Sequence, residues 1–417
     1  MTPPTLLTNA RVVDVEAGTT SPASVLLDGG RIAAVTPEGA AGTATDATPP
    51  GTRVLDLGGR VLAPGFVTVH MHLSIVFPFS DTDEDEDPML TAFRAATRAR
   101  EALDAGVTTV RCVHEQHRVD IALREADRRG WFTAPRILAG GRALSAPGGH
   151  GQGSGSVYCT GPDEFEAAAR AELEAGADHV KIFITGGLAH AGERPEDPEM
   201  TDAEMRAVVR AADDHGTYVV AHAGHHEAIR RALDAGVRSF EHAYVVDEPT
   251  ARLLARPGVF VSPTLAVTRS QDWMAEHGFE AHSRENAARA SVEHLASARR
   301  LAAAGVALTN GTDLPPGDRT EGTTAVVREA ELLVEAGLTP AGALAASTLV
   351  PARMCGVDAE TGRVAAGLAA DLVVLDDDPC ADVAALRTVR AVVSRGRVVR
   401  DDLGLFDHTT TDARGTT

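Results

Sequence analysis

The sequence predicts an α/β fold: a (β/α)8 TIM barrel carrying a small β-module built from both chain ends. Three observations lead there. Strand-like and helix-like stretches alternate through the middle of the chain. Several helical stretches close on Ala-Gly just before the next strand, as a glycine C-terminal cap predicts. Both ends read as short strands separated by turns. At 417 residues the chain is long enough for a large barrel plus an accessory module.

The first strands fall at Leu6 to Val13, Ser24 to Leu27 and Arg31 to Val35, the last entered through the turn Asp28-Gly29-Gly30. A polar, proline-containing loop covers Thr45 to Gly51, and strands resume at Arg53 to Leu57 and Arg60 to Leu62. Eight strand candidates follow: Phe66–Val69, Val107–Arg111, Pro135–Ala139, His179–Phe183, Tyr218–Ala221, Arg238–Glu241, Val259–Ser262 and Val306–Thr309. Between them, Ala95 to Ala105 and Glu293 to Ala304 have apolar residues at helical spacing. Thr201-Asp202-Ala203-Glu204 is a capping box. The Ala-Gly stops are Ala105-Gly106, Ala175-Gly176, Ala235-Gly236 and Ala304-Gly305. Eight such units match a barrel of about 250 residues. A doubly wound sheet is the alternative, and it would place a ligand in one crevice. Asp371 to Leu375 is a further strand, and Ala391 to Val399 a hairpin around Arg395-Gly396. The domain reading is therefore a composite β-module from residues 1–62 and 363–406, a barrel over 63–362, and a polar, flexible tail at 407–417.

With 39 Lys and Arg against 59 Asp and Glu, the formal net charge is -20. That argues against nucleic acid or an anionic membrane as partner. No apolar run is long enough to span a bilayer. Met1-Thr2-Pro3-Pro4-Thr5 lacks the basic and apolar regions of a secretion signal. Cys112, Cys159, Cys355 and Cys380 are scattered, so free thiols in a reducing cytoplasm are expected.

The chemistry concentrates in one ordered set. His70-Met71-His72 closes the apolar stretch from Val61, and residues two apart on a strand share a face. Alone, this pair reads as two satisfied core histidines. Lys181, His222, His242 and Asp313 then follow, each in or just after its own strand. In a barrel all six converge on the C-terminal mouth. Imidazoles and a carboxylate suit a zinc-like divalent ion. A buried lysine is costly as a cation, and the cost disappears if the amine becomes a metal-binding anion.

This set, with Ala63-Pro64-Gly65-Phe66-Val67, Gly148-Gly149-His150-Gly151, Phe240-Glu241-His242, Gly311-Thr312-Asp313 and Gly367-Leu368-Ala369-Ala370-Asp371, resembles the amidohydrolase superfamily. The resemblance is to its imidazolonepropionase-like and Xaa-Pro dipeptidase-like branch, and it covers nearly the whole chain. It implies that the two ends form a β-sandwich. It implies two divalent metal ions, usually Zn2+: His70, His72 and Asp313 on one, His222 and His242 on the other, and carboxylated Lys181 as bridging ligand. It further implies that a hydroxide shared by the metals attacks a carbonyl carbon, with Asp313 as general base and then general acid. The substrate expected is a small amide such as a dipeptide or N-acyl amino acid. A cyclic amide, imine or lactam hydrolase or cyclase is the alternative, and a catalytically silent ligand-binding member a third. Homo-oligomers are common among such relatives.

On the substrate side the resemblance points to His150, in a glycine-rich loop, and to Arg231, placed to pair with a substrate carboxylate. The chain departs from the branch at three mouth loops. Gly224 stands where a tyrosine or histidine is usual, leaving His225 or His226 as substitutes. Arg111-Cys112-Val113-His114-Glu115-Gln116-His117 replaces an Arg-Asp-glycine run, and Ala243-Tyr244 replaces Gly-Asn. His225 and Tyr244 are thus substrate-side candidates. For His114, His117, His225, His226 and Tyr244 the plainer expectation is a solvated loop residue. The acidic run Asp81 to Asp87 is expected to be a mobile, solvated loop, with attraction of a cationic substrate as its functional alternative.

Overall fold

A computed structural model describes residues 3–39, 48–190 and 192–406. The tail 407–417 and part of the 45–51 loop lie outside the described residues. The strands are β1 (Thr5–Asp14), β2 (Thr19–Asp28), β3 (Arg31–Pro37), β4 (Arg53–Asp56) and β5 (Val61–Pro64). Then come β6 (Phe66–Met71), β7 (Val107–Cys112), β8 (Arg136–Leu138), β9 (Leu144–Ser145) and β10 (Val157–Tyr158). They are followed by β11 (Val180–Phe183), β12 (Val219–His225), β13 (Ser239–Val245), β14 (Phe260–Ser262) and β15 (Ala307–Leu308). The short hairpin β16 (Arg319–Thr320) and β17 (Thr323–Thr324) precedes β18 (Leu372–Leu375), β19 (Val389–Ser394) and β20 (Arg397–Asp401).

The two chain ends meet in one hydrogen-bonded sheet ordered β20-β19-β18-β5-β1-β2-β3, with β4 also on β1. β1 serves two neighbours because it is bulged between Leu7 and Ala10, where Asn9 turns left-handed at φ 51°. Its first half pairs β4 and its second half pairs β5. β5 pairs β18 antiparallel, which ties the N-terminal strands to the C-terminal ones. Alternating side chains such as Leu7, Val25, Leu62, Leu372 and Val393 form a core of their own.

All eight strands expected in the middle of the chain are present. They form two parallel arcs, β6-β7-β8 and β11-β12-β13-β14-β15, the second extended past β11 by the short strands β9 and β10. Every residue of β6, β7 and β11 is buried, as in parallel sheets covered on both faces. Backbone bonds join the arcs at both ends: Asp178 donates to the Ala139 carbonyl at 2.7 Å, Val69 donates to Asn310 at 2.9 Å, and Asp313 donates to His70 at 2.9 Å. These last bonds set the segment after β15 against the end of β6.

The helices start and stop where local chemistry dictates. Asp87 caps Pro88–Asp104 by accepting from the Met89 amide at 2.8 Å, and proline sits in the first turn. The Thr201–Glu204 capping box is fully formed on Asp202–Asp214. Gly106, Gly176, Gly236 and Gly305 all adopt positive φ at the predicted stops. Thr201→Ala is expected to cost about 0.5–2 kcal/mol, read as a lower urea midpoint with an unchanged slope. No helix among the described residues is long and apolar enough to cross a membrane. The four cysteines are free.

Candidate metal centre

His70 lies near the end of β6 and His72 just past it, and they are 1% and 7% exposed. Each ring is held by its Nδ1. His70 Nδ1 lies 2.7 Å from Glu241 Oε2, and His72 Nδ1 lies 2.8 Å from the His114 carbonyl. That orientation turns both Nε2 atoms toward Asp313, each 3.2 Å from its Oδ1. The His242 ring lies 4.8 Å from that of His70 and 4.4 Å from that of His222, and its Nδ1 is 2.7 Å from Thr264 Oγ1. His222 Nε2 is 3.2 Å from the Gly186 carbonyl, leaving Nδ1 as its second ring nitrogen. Lys181, in β11, is buried with Nζ 5.5 Å from the centre of the Phe183 ring. Donor atoms of His70, His242 and Asp313 all lie within 4.8 Å of one another. Two imidazoles and a carboxylate that close, with His72 and His222 alongside, fit a zinc-like divalent ion.

Backbone geometry explains how neighbours in sequence reach the same place. On a straight strand Glu241 and His242 would face opposite ways. His242 at φ 69° and Ala243 at φ 53° break the alternation, so both side chains work around His70. Asp313 is likewise left-handed at φ 55°. Gly311 is required for contact, since a Cβ there would sit 2.2 Å from Ser262 Oγ and 2.6 Å from His70 Cβ.

The electrostatics suit deprotonated ligands. Burial, then the neighbouring His150 and Lys181, hold His222 well below the ordinary imidazole range. Burial, then His222 and His70, do the same for His242. Neutral imidazole is the metal-binding form. Burial pushes the Asp313 carboxyl up, but His70, with hydrogen bonds from His70 and His72, outweighs it and leaves Asp313 well below the carboxylate range. Burial lowers Lys181 to about 8 against the opposing pull of Glu241 and Asp313. Glu241 is raised by burial yet brought to about 2, chiefly by Arg111, which donates to it at 2.7 Å. Arg111 also reaches Ser239 Oγ at 3.0 Å and the Val69 carbonyl at 2.7 Å. This wholly buried pair therefore braces β6, β7 and β13 together.

His70, His72, Lys181, His222, His242 and Asp313 line one cavity of about 590 Å³, together with His150, Tyr244 and His114. His150 stacks on His222 at 4.1 Å and holds Glu193 at 3.0 Å. Tyr244, expected to be solvated, is buried and lies parallel to His242 at 5.1 Å. His114 is also buried: it accepts from Ala143 at 2.9 Å while its carbonyl holds His72. The structure does not bring Arg231 or His225 to the cavity. Arg231 Nε donates to Asp202 at 2.6 Å and Nη2 to the Met200 carbonyl at 3.1 Å, so the neighbouring helix start claims it. His225 caps the helix His226–Ala235, its ring tilted against that of His226 at 3.9 Å. Gly224 carries no side chain because a Cβ would meet Pro195 at 2.5 Å.

The acidic run is anchored rather than loose. Glu84 accepts from Tyr158 at 2.6 Å and Gly155 at 2.8 Å, Glu86 pairs with Arg94, and the Asp83 carbonyl accepts from Gln116 at 2.7 Å. Sequence reasoning missed two features. Glu193 and His190, from the loop after β11, brace His150. Trp273, Met274 and Phe279, after β14, wall the cavity. The only signal for the latter was one of two tryptophans standing near a strand end.

Residues 61–399 match the amidohydrolase family. The chain is 27% identical to an ochratoxinase of Aspergillus niger over 369 residues, covering 80% of this chain and 73% of that one. It is 28% identical to an imidazolonepropionase of Chromobacterium violaceum over 405 residues, covering 89% and 91%. A crystal structure of a prolidase complexed with N-methylphosphonate-L-proline superposes with a TM-score of 0.84 at 30% identity, covering 95% of this chain and all of that one. Relatives of this kind imply a (β/α)8 barrel with an attached β-domain, in keeping with the strand arcs and the composite sheet. On the strength of that match, the chain belongs to the amidohydrolase family, with its resemblance on the imidazolonepropionase-like and Xaa-Pro dipeptidase-like side.

Proposed function

We propose that this chain is a metal-dependent hydrolase of a carbon–nitrogen bond, of amide or peptide type, in a small substrate. The observation that supports it is the gathering of His70, His72, Lys181, His222, His242 and Asp313 in one cavity. In this reading the two arcs are one closed barrel over 63–362, and residues 1–62 and 363–406 are its companion domain. His70, His72 and Asp313 would hold one ion and His222 and His242 the other, with Lys181, once carboxylated, as their shared ligand. When bound, the ions supply a water acidic enough to ionise near neutrality, with a pKa of ~7 against ~15.7 in bulk, and polarise the carbonyl.

The rest falls to the side chains. Asp313 begins ionised, takes the proton of the attacking water and delivers it to the leaving nitrogen. Glu241 and the His114 carbonyl keep His70 and His72 in the tautomers that present Nε2. His150, steadied by Glu193, and Tyr244 face the substrate. A dipeptide or N-acyl amino acid is the first substrate class, supported by the prolidase likeness. A cyclic amide is the second, supported by the imidazolonepropionase likeness and by the engagement of Arg231 elsewhere. Retention of Asp313 among the ligands weighs against a silent binder.

The test is elemental analysis of chelator-free protein supplied with bicarbonate. About two zinc-like ions per chain support the reading, and one or none overturns the bridged centre. Carboxylation needs the neutral amine, so loading is expected to depend on pH. With Lys181 at about 8, the neutral fraction of unmodified chain rises from about a tenth at pH 7 to about nine tenths at pH 9. Metal content and a carbamate signal from labelled bicarbonate should rise together over that range. A flat profile would remove Lys181 as the bridge.

A further inference from the structure

The far wall of the cavity differs in chemistry from the metal end. It is built by two loops. One, after β6, supplies Phe77 and Phe79; the other, after β14, supplies Trp273, Met274 and Phe279. Phe77 meets Trp273 edge-on at 5.1 Å, and Phe279 lies 5.8 Å from it, tilted. Trp273 is 1% exposed, its indole donating to Asp318 at 2.8 Å and its ring stacked on His277 at 4.1 Å, so it is a fixed support behind Phe77 and Phe279. Phe79 lies parallel to His150 at 6.0 Å and so continues the apolar wall toward the metal end.

The charges at this wall are equally specific. No arginine lines the cavity among the described residues, and the lysine there, Lys181, lies at the metal end. Arg231, the residue suited to a carboxylate, is engaged outside it. Asp81 and Glu280 are exposed lining residues, Glu280 with the His282 ring 2.9 Å away. The chain as a whole carries a net charge of -20. An anionic substrate would enter against the net negative charge and meet no guanidinium fork among the described lining residues. A flat, uncharged ring would find aromatic faces and edges at stacking distance. A volume of about 590 Å³ is also in the range that buries a drug-sized ligand.

We propose that the site selects uncharged amides bearing an aromatic group, anilides among them, and that the wall of Phe77, Phe79 and Phe279, backed by Trp273, holds that group while the scissile bond lies at the metal end. This rests on the hydrolase reading for the bond and deepens it for the substrate. It sets the free-carboxylate dipeptide behind the uncharged aryl amide.

The experiment is direct binding by calorimetry to the protein as purified. The probes are 4-carbamoylbenzanilide and 4-carboxybenzanilide, which match in size and differ by one charge. The neutral probe is expected to bind at least tenfold more tightly, and Phe279→Ala to weaken it at least fivefold. Phe279 is only partly buried, so that variant is expected to fold; Phe79→Ala serves as a second. In a Trp131→Phe background Trp273 is the sole tryptophan, and its emission should change on saturation by the neutral probe alone. Equal or tighter binding of the carboxylate, or no effect of either wall variant, overturns the proposal. Turnover is followed separately. Selective binding of the neutral probe by a protein that cleaves no amide would sink the hydrolase reading and leave the wall standing. Cleavage of carboxylate dipeptides without selective binding would do the reverse.

Discussion

Asp313→Asn is expected to leave the fold and most of the bound metal in place while lowering hydrolysis by about 10³-fold or more, the upper part of the range for losing a general acid–base group. Asparagine keeps the size and one oxygen ligand but cannot take a proton from water at neutral pH. Asp313 is suited to the role because His70 and His72 each touch its Oδ1 at 3.2 Å. Its carboxyl is consequently ionised well below the usual range, despite burial. Activity on an anilide or dipeptide panel, with metal content measured on the same preparation, checks this. Near-normal turnover by a metal-loaded D313N protein would end the proposed mechanism.

Arg111→Met should produce the largest loss of stability. Arg111 and Glu241 are both fully buried, and removing one partner leaves a charge without compensation, a loss of about 3–5 kcal/mol. The double variant Arg111→Met, Glu241→Gln should lose less than the two single changes added together, because the two act as one unit. The pH dependence has a definite sign. In the native chain Glu241 sits at about 2, below the unfolded value of about 4.3. Its contribution is therefore present above pH 4.3 or so and lost as pH falls toward 2. The gap between native and Arg111→Met proteins should be widest near neutrality and narrow below about pH 4. Urea unfolding at pH 7 and pH 3.5 measures it, and a gap that widens on acidification would show that the pair is not what stabilises the barrel end.

A related effect is expected at the metals. Because Glu241 also holds His70 Nδ1, Glu241→Gln should weaken metal retention about 10–100-fold, as loss of a ligand's orienting partner commonly does. A chelator challenge with a coloured indicator reads that directly. Unchanged metal release would mean that Glu241 braces the strands without orienting the ligand.

Much of this molecule is legible in its sequence. The eight middle strands follow from apolar runs, four of them entered just after an Ala-Gly helix stop, and the composite sheet from the turn-punctuated ends. The six ligand candidates stand out because each falls in or just after its own strand, and a parallel array collects side chains from distant segments at one end. These are local signals: strand period, cap chemistry, and residue type at a fixed point of the repeat.

What the sequence concealed depends on contacts between segments far apart in the chain. Arg231 stands where the branch has a carboxylate-binding arginine, yet Asp202, 29 residues earlier, takes its guanidinium. His114 and Tyr244 sit in loop sequences that look solvated, and both are buried against metal-side histidines. The acidic run looks mobile and is tied down by Tyr158 and Arg94. The sequence by itself thus determined the α/β class, the order of the elements and a set of six residues that line one cavity, since strand period and cap chemistry act within a few residues. Tertiary structure alone decided which charged groups are already paired and which rings wall the cavity. Hydrogen-bond competition and burial are settled by whichever distant group arrives within about 3 Å, and no local pattern encodes that.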